Sequence, residues 1–126
     1  MVGLVVGGAF TLVGPAGAAV SSNDHCAGGP ALTTMVINWD GPHESATAGR
    51  DSIVRVVTYR SPNWHVSFPR PVHHAGAVCE VSRHRVSKHR VVAKFRTLRA
   101  RTVEFASVAV RDGSAPADAA NLSITR

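Results

Sequence analysis

Apolar residues recur at every second position in several short stretches of this chain. Residues 64–68 set Trp64, Val66 and Phe68 on one side and His65 and Ser67 on the other. Residues 77–82 place Ala77, Cys79 and Val81 together, and residues 91–97 oppose Val91, Ala93 and Phe95 to Val92, Lys94 and Arg96. That is the period of a half-buried strand. Residues 32–37 and 52–59 are short and apolar, the second rich in β-branched side chains, and residues 102–110 and 121–125 complete the set. Turn formers separate them: Asp40-Gly41-Pro42, Ala48-Gly49-Arg50-Asp51, Ser61-Pro62-Asn63, Pro69-Arg70-Pro71 and Asp112-Gly113-Ser114. About seven strands bounded by turn signals predict an all-β sandwich or barrel, not a helical bundle.

Two stretches admit a second reading. Within residues 82–101, Val91, Phe95 and Leu98 also fall at i, i+4 and i+7, the spacing of a helix, while the β-branched pair Val91-Val92 favours a strand. Residues 115–120 fit a helical turn inside a loop.

The beginning of the chain is different in kind. Residues 1–20 carry no charge; an apolar run over 2–13 is followed by Gly14-Pro15 and then Ala16-Gly17-Ala18-Ala19. An apolar core, a breaker and a small-residue cleavage site predict a secretory signal peptide over residues 1–19, with a single β-sandwich domain over residues 20–126. The run falls short of the roughly 20 apolar residues of an integral membrane span. Signal peptides open on Lys or Arg, whereas the first basic residue here is Arg50, so a retained N-terminal anchor and a buried segment stand as alternatives. The expected location is secreted or cell-envelope associated.

Export changes the meaning of Cys26 and Cys79. In an oxidising compartment two cysteines pair, whereas in the cytosol they are more often buried thiols. A bridge would close a loop of about 54 residues, for which chain entropy gives about 4 kcal/mol.

The passage Phe95-Arg-Thr-Leu-Arg-Ala-Arg-Thr-Val-Glu-Phe105 resembles a strand–turn–strand element of secreted bacterial immunoglobulin-like β-sandwiches. Among these it is similar to the chagasin-type inhibitors of cysteine peptidases. Gly49-Arg50-Asp51-Ser52-Ile53-Val54-Arg55-Val56 looks like the opening of the strand before their inhibitory loop, and Ser61, Pro62, Asn63 and Trp64 sit where that loop would be. The Thr-Thr-Gly of that loop is absent, and Arg101 stands where the turn glycine is expected. The resemblance implies an immunoglobulin-like sandwich and an inhibitory loop at Ser61–Trp64.

Candidate chemistry is sparse. Cys79, His84 and His89, with His43 upstream, superficially match a blue-copper set, but a disulfide would remove the thiolate. His65, His73 and His74 form a looser candidate for copper or zinc. No nucleophile–base motif is visible, so neither an enzyme nor a cofactor is expected.

Charge is the strongest signal. The 126 residues carry 14 Lys+Arg against 8 Asp+Glu, a net charge of +6. Eight cations, Arg83, Arg85, Lys88, Arg90, Lys94, Arg96, Arg99 and Arg101, fall within residues 83–101 with no acid among them. Such a run either solubilises a face or binds a polyanion by counterion release. The partner expected is an anionic cell-surface polymer or an acidic protein. Specific nucleic acid is not expected, because the one aromatic in the run, Phe95, points inward by the alternation.

Overall fold

A computed structural model describes residues 26–42 and 45–126. Among these are nine strands: β1 (Thr33–Asn38), β2 (Ala46–Gly49), β3 (Ile53–Tyr59), β4 (His65–Val66), β5 (Arg70–His73), β6 (Val78–Ser87), β7 (Arg90–Thr97), β8 (Thr102–Val110) and β9 (Ala117–Thr125). A 3-10 turn at Ala75–Ala77 precedes β6. One sheet has the order β1-β3-β7-β6; the other runs β2-β9-β8, with β4 and β5 both pairing β8. The first strand of each sheet is added in parallel, β1 beside β3 and β2 beside β9, while the hairpins β6–β7 and β8–β9 are antiparallel.

Alternation along β7 and β8 builds the core. Val91, Ala93, Phe95 and Thr97 are buried from one sheet, and Val103, Phe105, Ser107 and Ala109 from the other. Register sets Val54 beside Phe95 and Val56 beside Ala93, so neighbouring strands present apolar groups to the same side. The rings of Phe95 and Phe105 meet between the sheets at 4.7 Å and 60°. Met35 and Ile37 of β1 and Leu122 and Ile124 of β9 fill the space around them. Full burial of each such side chain contributes about 1.5–3 kcal/mol.

A polar tie closes one end of this core. The buried Thr97 hydroxyl donates to the Gly49 carbonyl at 2.6 Å and accepts from the Ser52 backbone N–H at 3.0 Å. Backbone bonds from Asp51 N–H to Thr97 O and from Thr97 N–H to Ser52 O, both 2.9 Å, complete it. The β2–β3 turn is therefore welded to the end of β7.

The lead-in to β1 lies across the outside of the first sheet. Cys26 and Cys79 form a disulfide with their Cα atoms 5.7 Å apart, and Arg96 Nε donates to the Ala27 carbonyl at 2.8 Å. Gly28 allows the close approach: a Cβ there would stand 3.3 Å from Val81 Cγ1.

Over residues 82–97 the favoured strand reading holds and the helical one does not: they lie in the hairpin β6–β7, where β3 and β6 flank β7 on both sides and satisfy its backbone. Other sequence expectations need correction. Residues 117–120, read as part of a helical turn, belong to β9, where pairing with β8 outweighs the helical preference of alanine. Residues 64–68 yield only the two-residue β4, and Pro69 follows soon after. Strands β2 and β5 were not expected at all. In β6, register shifts flank Val81 and Val86, so Val78 and Glu80 face inward and are followed by Arg83 and Arg85. Ala77 lies in the 3-10 turn, and the expected grouping of Ala77, Cys79 and Val81 is lost. The bulges and inward charges also blunt the free edge of β6, which otherwise invites edge-to-edge pairing.

Candidate binding surfaces

Register aligns three rows across the outer face of the four-stranded sheet. They are Thr34-Arg55-Lys94-Ser82, Val36-Val57-Val92-His84 and Asn38-Tyr59-Arg90-Ser87. The central row makes an apolar stripe between two cationic rows, above a depression of about 390 Å³. Arg55 and Lys94 are direct cross-strand partners, an arrangement of like charges that weakens a sheet. No acid occupies any of the three rows, and Arg55, Arg90 and Lys94 form no ion pair or hydrogen bond among the described residues. Sequence reasoning missed Arg55, which lies far from residues 83–101 along the chain; the signal was its alternation with Val54 and Val56.

The eight cations of that run do not share one surface. Arg90, Lys94 and Arg96 lie on the outer face, with Arg96 bonded to the Ala27 and Asp51 carbonyls. Lys88 sits in the β6–β7 turn, whereas Arg99 and Arg101 are exposed in the β7–β8 turn at the opposite end of β7. Arg83 and Arg85 point the other way, toward the inner side of the sheet edge, where both stack on the Phe68 ring. Arg83 forms a bidentate pair with Glu80, at 2.6 and 2.7 Å. That hydrogen-bonded carboxylate raises the Arg83 pKa above its ordinary value, opposed by a small desolvation. Arg85 donates to the carbonyls of Val66, Ser87 and Lys88.

The loop of Ser61, Pro62, Asn63 and Trp64 projects from the end of the sandwich where β3 leads to β4. Pro62 and Asn63 are exposed, Asn63 adopts φ 92°, and Trp64 N–H donates to the Ser61 carbonyl at 3.4 Å. Behind the loop, the Arg60 guanidinium is sandwiched between two indoles, 3.4 Å from the Trp64 ring centre and 4.8 Å from that of Trp39. Below them a small cluster of Val66, Val91 and Ala109 anchors both tryptophans and Phe68.

The histidines do not assemble. His65 opposes Val110 on β8, while His73 opposes Glu104 much further along that strand. The rings of His73 and His74 meet at 4.4 Å, tilted by 59°, and His74 Nδ1 bonds to the Thr102 carbonyl at 3.0 Å. Among the described residues, no group of three or more His, Cys, Asp or Glu side chains is placed to hold a metal. Cys79 is committed to the disulfide, which leaves His84 and His89 without a thiolate; His43 lies outside the described residues.

Two facing antiparallel-rich sheets with parallel first strands define an immunoglobulin-like β-sandwich. Solved structures of that kind resemble it. The cysteine protease inhibitor EhICP2 from Entamoeba histolytica superposes with a TM-score of 0.54 over 77% of this chain and 100% of its own, at 9% identity. The titin M3 domain gives 0.47 at 12% identity over 75% and 94% of the two chains, and amebosin 0.42 at 11% over 77% and 100%. At 9% identity the likeness to EhICP2 speaks for the fold alone. No protein-family model and no curated protein matches the sequence. Among the described residues no helix is long and apolar enough to cross a membrane; residues 1–19, read as a signal peptide, lie outside them.

Proposed function

We propose that this protein is a non-enzymatic binding module of the cell exterior, engaging an anionic cell-surface polymer or an acidic protein. The surface is the outer face of its four-stranded sheet. The observation that carries this reading is the opposed pair Arg55–Lys94, in rows that hold no acid among the described residues. Like charges held in register cost stability, and no described side chain in those rows offsets them. A negatively charged partner would. The half-buried Val36 and Val92, on either side of Val57 between the cationic rows, add apolar contact area for a protein partner. The disulfide fits an oxidising exterior.

Retention on an anionic polymer column tests this against simple net charge. Lys94→Glu and Arg99→Glu change the net charge equally, but only Lys94 lies on the face. Retention at about 0.1 M salt falls sharply for Lys94→Glu and much less for Arg99→Glu, and is lost by about 0.5 M salt as screening shortens. Equal losses would leave bulk charge as the whole explanation.

A second reading is inhibition of cysteine peptidases by the Ser61–Trp64 loop. It is favoured by the loop's construction: exposed Pro62 and Asn63 held over the Trp39–Arg60–Trp64 stack, a pre-organised projection. A papain-type assay with micromolar protein decides it. Inhibition should be lost on Trp64→Ala, and no inhibition by the unmodified chain ends this reading.

A further inference from the structure

On the other side of the molecule, a cavity of about 710 Å³ opens where the second sheet's edge is broken between β4 and β5. Its size is that of small-ligand pockets. Register puts Ala106 opposite Arg70 and Val108 opposite Ala117, so small apolar side chains floor it. Val72 and Val110, two of the few large hydrophobic residues left exposed in the fold, stand on its rim.

The charged residues of the lining are Arg70, Arg83 and Arg85, of which Arg83 is paired with Glu80. Arg85 is fixed by three backbone carbonyls and has no carboxylate partner, and Arg70 has no partner among the described residues. Phe68, under the guanidinium groups of Arg83 and Arg85 at 4.7 and 5.2 Å, continues the apolar wall.

The structure assigns this cavity to a small amphiphilic anion: a carboxylate or comparable monoanionic head held by Arg70 and Arg85, with an apolar body over Ala106, Val108 and Val110. Bound this way, the ligand satisfies an unpaired guanidinium and covers the two exposed valines. It uses a surface separate from the cationic face proposed above, so either reading stands if the other fails.

The test is titration of the full chain with decanoate, followed by calorimetry and by backbone amide shifts. Saturable binding with shifts centred on Arg70, Val72 and residues 106–110 is expected. Hexanoate should bind on the order of 100-fold more weakly, since each buried methylene is worth about fourfold. Decyltrimethylammonium, with the same tail and the opposite charge, should not compete. Arg70→Glu, on an exposed edge position, should weaken decanoate by about tenfold or more at unchanged melting temperature. Ala106→Phe should block the floor; if that variant is destabilised, Arg70→Glu remains decisive. No saturable binding, equal affinity for the cationic amphiphile, undiminished binding by Arg70→Glu, or shifts confined to another surface would each overturn the assignment.

Discussion

Replacing Lys94 by Glu should make the protein more stable while abolishing its polyanion binding. Lys94 faces Arg55 directly across the β3–β7 ladder, and among the described residues no acid shares their row or the two beside it. Two unit charges about 6 Å apart in water interact by about 0.7 kcal/mol. Reversing one turns that repulsion into an attraction of similar size. Exposed pairs recover only part of the Coulomb energy, because two long side chains must be held in place. The net gain expected is therefore about 0.5–1.5 kcal/mol. For a domain of about 100 residues this raises the melting temperature by several degrees. Urea denaturation followed by circular dichroism at about 0.05 M and about 1 M salt measures it, and the gain should shrink at high salt. Arg55→Glu should reproduce the effect, and the double reversal should erase it by restoring like charges. A Lys94→Glu protein less stable than the parent at low salt, or one that binds anionic polymer undiminished, would refute the reasoning.

Thr97→Val keeps the shape of a buried side chain but strands the Ser52 N–H and leaves the Gly49 carbonyl with the Ser52 hydroxyl, so it should cost about 1–3 kcal/mol in denaturant unfolding. Replacing Cys26 and Cys79 together by Ser removes a cross-link over a sequence separation of 53, and should lower stability by about 4 kcal/mol and the melting temperature by upwards of about 15 °C. Arg60→Ala empties the space between Trp39 and Trp64, the only two tryptophans in the sequence. It should shift intrinsic fluorescence to longer wavelength and cost about 1–2 kcal/mol; unchanged emission would argue against the stacked geometry.

How much of this was legible beforehand depended on whether the determining contact was local. The strands β7 and β8 showed themselves through alternation because each has one buried and one wet face, and Phe95 and Phe105 marked the inner side of both. Strand β2 was hidden: its last two residues belong to Ala48-Gly49-Arg50-Asp51, which reads as a turn, and Ala46–Gly49 becomes a strand only because β9, distant in sequence, runs beside it. Strand β5 was hidden by Pro71, which an edge strand with a bulge tolerates. The disulfide followed from the compartment inferred from residues 1–19. The basic run was visible as a count, but its partition was not. The pleat sends successive residues to opposite faces, the hairpin returns the chain, and the register shifts in β6 reorient Arg83 and Arg85. Arg55 joins Lys94 only once the β3–β7 register is known.

The seam between β2 and β9 has a consequence for how the molecule comes into being. Ala46 meets Leu122, and Gly49 meets Thr125, so the second sheet lacks a central member until β9 has come back to lie between β2 and β8. Assembly of that sheet waits on a distant encounter, which makes it slow, and removing residues 122–125 should be as damaging as a hole in the middle.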